Sequence, residues 1–489
     1  MKKSGSRLKK LNPVLFAMMT AAAMLSMRNL PAQAEVGIQM ITLGLLAAIF
    51  SLLPTALVAA ELGTGWSKLG GVYVWVKAAF GERWGFIAIW LQWMQSAFLM
   101  VAVLLFIGGT LAYMVGDVAL NENKWFLMGV LLFIYWLFTF LNMRGLRASS
   151  IISTAGFAIG VLVPGFLIMI LGAIYLIQGN PSQLDLSFTA ANLIPDFTDL
   201  SGLTLLSAFV LTFTGIEISA ANLNQVKNVK RNYPYILLAI VVVALVMNLA
   251  GSMAVGVVVP REHLSLDAGL AQAFHDFFKV FHIGWITPII AACIAGGAIG
   301  EVSTYLISPV KGILATADNG DIPPFFQKVN KEGVPTRLLI TQAFIVSFFA
   351  LGFLLVPSIN LAFWLFAALD VLVHLVMYVI MYLACIRLRY SEPDVPRPFK
   401  IPGGKIGVWI VCGVATIASL YAFVIAFIAP AQLPDVDFVI YEVVISTLFV
   451  VSIASGFIVF ALRKPEWKRV AAEKVKESPH YEEEMSGAA

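Results

Sequence analysis

Long apolar runs, most of them about 20 residues, recur along the whole chain and are separated by short clusters that hold most of its charge. A run of that length crosses the hydrocarbon core of a bilayer as a helix, whereas a water-soluble core cannot use so many uniformly apolar helices. Composition agrees. Of 489 residues, 60% are apolar and only 12% charged, against about 25% charged in soluble domains. The expected architecture is all-α and integral to a membrane. Twelve spans are predicted, over residues 13–36, 38–60, 86–115, 125–142, 150–177, 201–222, 234–259, 284–316, 338–356, 359–388, 406–428 and 437–462. The stretch 264–279 is shorter and more polar and reads as a surface helix on the external side.

Lysine and arginine placement sets the orientation. With the N-terminus inside, 28 of the 32 basic residues fall in the N-terminal tail, in 61–85, 143–149, 223–233, 311–337 and 386–405, or in the tail 463–489. Only Lys124, Arg261 and Lys279 fall outside, and Arg28 lies within a span. Both termini are therefore expected in the cytoplasm, which requires an even number of crossings. The net charge of +4 is a topology signal, and no pattern for nucleic-acid binding accompanies it. The external loop 178–200 carries Asp185, Asp196 and Asp199 and no base.

The N-terminus admits two readings. Lys2, Lys3, Arg7, Lys9 and Lys10 precede an apolar stretch, and Ala32-Gln33-Ala34 resembles a leader cleavage site. The same residues also suit an interrupted first span, and apolar character resumes directly after Glu35.

Enzyme chemistry finds little support. His263, His275, His282, His374 and His480 lack metal-ligand spacing, no Walker A loop is present, and no nucleophile–base set stands out. Cys293, Cys385 and Cys412 lie in apolar runs and read as packing residues. Gly70-Gly71, Gly108-Gly109 and Gly296-Gly297 are better explained by close helix packing than by phosphate binding. No metal and no cofactor are expected, the partners are the bilayer and a small solute, and nothing sets an oligomeric state.

A transporter must hold a polar solute at mid-membrane, and backbone N–H and C=O groups freed at a helix break can do so. The first candidate break is Met19 to Ser26, rich in small residues and followed by Arg28, Asn29 and Pro31. The second is Thr212-Phe213-Thr214-Gly215-Ile216-Glu217, in the sixth span. Breaks five spans apart suit two five-helix repeats of opposite orientation. An ordinary small-residue packing face is the alternative at both places. Charges within the bilayer cost about 2.5–3.5 kcal/mol each on insertion scales. Those present are Arg28, Glu35, Glu217, Glu301 and Asp370, with His374 one turn after Asp370. Arg28 meets either an anionic solute or an acid such as Glu35. Glu217 carries a coupling proton or ties the break together. Asp370 and His374 gate the path or bond each other at i, i+4, and Glu301 gates it or braces Ser303 and Thr304.

Four stretches carry a family resemblance. They are Ala60-Glu61-Leu62 with Gly70-Gly71-Val72-Tyr73-Val74-Trp75, Gly81 and Trp84-Gly85-Phe86; Thr214-Gly215-Ile216-Glu217 with Asn228-Val229-Lys230-Arg231-Asn232-Tyr233-Pro234; Gly300-Glu301-Val302-Ser303 with Pro309, Ile322-Pro323-Pro324 and Val334-Pro335; and Arg397-Pro398-Phe399-Lys400-Ile401-Pro402-Gly403-Gly404. In order and spacing they resemble the amino acid–polyamine–organocation transporters, most closely the bacterial glutamate/GABA antiporter branch. The resemblance implies a LeuT-like five-plus-five inverted repeat in the bacterial inner membrane: repeats over 13–177 and 201–388, two further helices over 406–462, and tails over 1–12 and 463–489. It implies that backbone groups at Ala23, Met24, Leu25 and Ser26 take an amino-acid carboxylate. Phe213, Thr214, Gly215 and Ile216 then face the amino group, Glu217 governs gating or protons, and Tyr378 lies on the pathway. Departures from the family pattern are Met24-Leu25-Ser26 in place of glycines, Arg28 and His374 in place of aromatic residues, and a fifth span without lysine. The C-terminal tail is also short for a cytoplasmic plug. The expected activity is exchange of glutamate for GABA or a similar decarboxylation product. A cation-coupled symporter using Ser303 and Thr304 is one alternative, and a non-transporting sensor on the same fold is another.

Overall fold

The computed structural model describes residues 11–195, 209–210, 212–260, 264–265, 268–318, 320–428 and 438–467. The basic N-terminal tail, Asp196, Asp199, most of 201–211, Arg261, His263 and the tail beyond Trp467, with His480, lie outside the described residues. The principal helices are α1 (Pro13–Met24), α2 (Leu30–Ala34), α3 (Gly37–Gly65), α4 (Val72–Phe80), α5 (Glu82–Val115), α6 (Lys124–Asn142), α7 (Leu146–Ile177), α8 (Val229–Val258), α9 (Gly269–Val280), α10 (Thr287–Asp318), α11 (Thr336–Phe353), α12 (Ile359–Ser391), α13 (Gly404–Ile425) and α14 (Phe438–Ala461). Among the described residues, eleven helical stretches are long and apolar enough to cross a membrane, α1 and α2 together forming the first. Residues 201–208 and 211 of the predicted sixth span lie outside the described residues, so this count leaves the prediction of twelve standing.

Local chemistry explains the boundaries. Asn12 caps α1 by accepting from the Val14 amide at 3.1 Å, with Pro13 in the first turn. The predicted seventh span begins at Pro234, yet α8 starts at Val229, and the proline sits inside the helix. The polar turn ahead of Pro234 hid that start. The predicted surface helix over 264–279 is Gly269–Val280, whose Leu270, Phe274, Phe277 and Phe278 are buried against the bundle.

Helix α5 runs through the centre, packed mainly on α10 and α12, while α13 and α14 lie at the periphery and expose Ile406, Ile417, Val450 and Ile458. Where α7 crosses α10, only glycine fits. A Cβ at Gly156 would lie 2.6 Å from the Gly296 carbonyl oxygen and 2.9 Å from Gly300 Cα, and one at Gly160 would collide with the Cys293 carbonyl and the Gly297 amide. Of the pair Gly296-Gly297, Gly297 serves this packing, a Cβ there lying 2.6 Å from the Gly160 carbonyl carbon, while a Cβ at Gly296 would meet nothing within 4 Å.

The first and fourth resemblance stretches meet in one latch. Both Glu61 carboxylate oxygens accept from the Arg389 guanidinium, and Oε2 also accepts from the Ile401 amide at 2.8 Å. Arg397 donates to the Leu388 and Glu392 carbonyls at 2.7 Å and lies over the Trp66 ring. On the same side of the bundle, Leu11 and Val226 form a β-bridge. Lys311, which falls within the predicted span 284–316 although it is counted among the cytoplasmic charges, lies inside α10 and is 3% exposed.

Substituting Gly160→Ala is expected to destabilise the protein by about 1–3 kcal/mol through overpacking. Gly129→Ala, where a Cβ meets nothing within 4 Å, should not. Thermal unfolding in detergent separates the two, and equal melting would remove the close crossing as the reason for glycine.

Candidate functional site

The first span is interrupted where the sequence places the break. Helix α1 ends at Met24, Leu25 takes φ −84° and ψ 83°, and Ser26 is extended before a 3-10 turn over Met27–Asn29 leads into α2. Pro31 has no amide hydrogen to offer the turn before it and suits the first turn of α2. Ala23, Met24 and Leu25 are buried and Ser26 partly so.

The second break lies against the first. Gly215 has φ +96°, a conformation that favours glycine. A side chain there would strike the Tyr305 hydroxyl, with the Ala23 carbonyl oxygen 3.8 Å from the same point. The Gly215 amide donates to Tyr378 Oη at 2.8 Å, and Tyr378 donates to Glu217 Oε2 at 2.6 Å. The other carboxylate oxygen of Glu217 accepts from Gln92 Nε2 at 3.0 Å and bonds His374 Nε2 at 2.9 Å. Glu217 is fully buried, and three bonds, from Gln92 of α5 and from His374 and Tyr378 of α12, orient it. Phe213 and Ile216 pack in the core on either side. Just beyond the break, Ser219 Oγ is 2.7 Å from Thr20 Oγ1 on α1.

The intramembrane charges find partners that spacing did not select. Arg28 pairs with Glu301 of α10 rather than with Glu35, and donates to Ser26 Oγ at 3.0 Å. His374 turns to Glu217 and leaves its Nδ1 without a partner, and Asp370 Oδ1 likewise has none, so the i, i+4 bond between Asp370 and His374 does not form. Glu301 does not brace its neighbours: Ser303 bonds Asn142 and Ser149, and Thr304 bonds Ser153 at 2.8 Å. On α12, Asp370, His374, Tyr378 and Tyr382 form a polar stripe at four-residue spacing, with Tyr382 held to Thr55 Oγ1 at 2.6 Å. Gln33 of the leader-like triplet is buried and bonds Thr212 at 3.0 Å and Ser252 at 2.9 Å, so this segment belongs to the folded bundle.

Sequence reasoning missed Gln92 and Tyr305. Gln92 is an uncharged polar residue in a long apolar helix, and Tyr305 lies four residues after Glu301; a search for buried hydrogen-bonding groups rather than charges finds both. The cavity bordered by Leu25, Ser26, Met27 and Glu301 has a volume of about 10 Å³, room for no more than about one water. This cavity borders the first break alone. Among the described residues no cluster of His, Cys, Asp or Glu is arranged to hold a metal.

Two interrupted helices meeting at a buried acid define the class of a membrane transporter that works without covalent chemistry. The chain belongs to the amino acid permease family, whose model matches residues 11–453, within the amino acid–polyamine–organocation transporters. It is a multi-pass membrane protein and not an enzyme. It is 38% identical over 89% of its length to an uncharacterized transporter of Legionella pneumophila, covering 93% of that protein. It is 34% identical to a glutamate/gamma-aminobutyrate antiporter of Lactococcus lactis, over 93% of this chain and 91% of the relative. A probable agmatine/putrescine antiporter of the same species is 27% identical over 72% of this chain and 74% of its own.

Glu217→Gln keeps the shape but removes the charge that His374 and Tyr378 orient. Exchange should fall, or lose its pH dependence, with expression and melting temperature intact. Transport unchanged at every pH would remove Glu217 from the mechanism.

Proposed function

We propose that this protein is an amino-acid antiporter working by alternating access, exchanging glutamate for GABA or a similar pair of an amino acid and its decarboxylation product. The observation that carries this reading is the junction of the two breaks, where the Ala23 carbonyl faces Gly215 and the Gly215 amide is held through Tyr378 to Glu217. Similarity to antiporters of glutamate and GABA, over nearly the whole chain, supports the substrate class. The working architecture is twelve helices in a LeuT-like arrangement: repeats over 13–177 and 201–388, the loop 178–200 outside, the pair 406–462 added, and both tails cytoplasmic in a bacterial inner membrane.

In this mechanism the groups at Ala23, Met24, Leu25 and Ser26 receive the carboxylate, and those at Phe213, Thr214, Gly215 and Ile216 face the amino group. Opening the junction requires Tyr378 to release the Gly215 amide, which couples solute entry to the protonation and orientation of Glu217 and His374. Arg28 is neutralised by Glu301 in this conformation. An incoming carboxylate competes with Glu301 for it, so the pair acts as a gate that an acidic solute opens. Asp370, whose Oδ1 has no partner, is left to receive an ammonium group or a proton.

Reconstituted protein should take up labelled glutamate in exchange for internal GABA. Failure with every acidic amino acid tested would sink the substrate assignment. Arg28→Ala should weaken acidic solutes more than zwitterions, by about tenfold for a lost charged hydrogen bond; equal weakening would make the Arg28–Glu301 pair purely structural. One observation favours ion coupling as a second reading: the Thr304 hydroxyl lies 3.4 Å from the Met19 carbonyl of α1. Sodium-dependent uptake into empty vesicles would establish that reading in place of exchange.

A further inference from the structure

Lys311 is the anomaly among the charged residues of the bundle. It is 3% exposed, it lies well inside a membrane-crossing helix, and no hydrogen bond or ion pair reaches it among the described residues. A buried lysine without a partner is costly, so its retention asks for a partner that comes and goes.

Its position says where that partner travels. Lys311 stands seven residues after Thr304 and three after Ser308 on α10, hence on the same face, about 10 Å beyond the level of Thr304 at 1.5 Å per residue. Thr304 touches the Met19 carbonyl of α1, and Ser308 accepts from Asn222 Nδ2 at 3.0 Å. Asn222 belongs to the 3-10 segment Ile218–Gln225 that follows the second break. The stripe that ends at Lys311 thus descends from the junction of the breaks along both interrupted spans. A second atom here also lacks a partner: Asn222 is fully buried, and its Oδ1 accepts no hydrogen bond. Lysine offers three donors and no acceptor, whereas the amide oxygen is an acceptor only. Linked through Ser308, which bonds Asn222 and lies one turn before Lys311 on α10, a cationic donor and an acceptor match the two ends of a zwitterionic amino acid. Snorkelling to the lipid headgroups does not account for this lysine. The flanking Gly312 is packed against Ile89 of α5, Ala315 lies under Gly70, and the residue itself is covered by protein.

We propose that Lys311 and Asn222 form an inner amino-acid-binding station on the cytoplasmic half of the pathway, Lys311 taking the carboxylate of the solute and Asn222 Oδ1 its ammonium group between the helix breaks and release. The station rests on the transport reading above for its solute, and on the two unpartnered atoms for its place.

The test uses full-length Lys311→Met and Lys311→Arg in vesicles of known protein orientation, with half-saturation measured separately for internal and external solute. Lys311→Met should raise the internal half-saturation for glutamate by about tenfold. External half-saturation should stay unchanged, and Lys311→Arg should keep most of the internal affinity. An unchanged internal value, or equal changes on both sides, would overturn the station. If the unaltered protein exchanges no acidic amino acid, the functional reading fails by itself. Glutamate-induced thermal stabilisation then decides the station: it survives if glutamate raises the melting temperature of the unaltered protein but not of Lys311→Met, and falls if the two respond alike or neither responds.

Discussion

Inside a bilayer a backbone group that leaves its helix must find another partner, and the arrangement around Gly215 meets that requirement with a side chain. The amide that a continuous helix would use internally is bonded to Tyr378, Tyr378 is held by Glu217, and Glu217 by Gln92 and His374. One break in the sixth span is thereby wired to α5 and α12. A movement that reopens the Gly215 amide disturbs all four partners together. In the proposed alternating-access mechanism, that coupling gives the break two discrete conditions rather than a continuum.

The same economy governs the surrounding bundle. Lipid supplies no hydrophobic drive between helices, so close approach and polar bonds hold them together. Gly156 and Gly160 let α7 lie against Gly297 and Gly300 of α10, and Ser149 and Ser153 bond Ser303 and Thr304 along the same seam. This seam fixes the face of α10 that carries Glu301, Tyr305, Ser308 and Lys311. The hydroxyls that a sequence reading could assign to an ion are therefore already engaged in helix packing.

Much of the fold was legible because membrane insertion imposes local rules. Apolar length, the distribution of lysine and arginine, Pro31 after the first break and Gly215 in the second are features of single segments, and the helices and both breaks lie where those features put them. Around the second break, the wiring was less legible than the elements it joins. Glu217, Tyr378, His374, Gly215 and Ala23 do converge, but Gln92 and Tyr305 passed unnoticed because an uncharged polar side chain in a long apolar helix makes a weak local signal.

By itself, the sequence determined that the chain crosses a membrane many times, roughly where its helices lie, and where two of its spans break. These outcomes follow from hydrogen bonds and transfer energies that act within a few residues. Only the tertiary structure decided who pairs with whom. Arg28 finds Glu301 at a separation of 273 residues in place of nearby Glu35, and His374 finds Glu217 at 157 in place of Asp370. Lys311, inside a predicted span, proves to be buried rather than an exposed cytoplasmic charge. Spacing along one helix shows which side chains share a face, but the partner across that face is set by how the other helices pack against it.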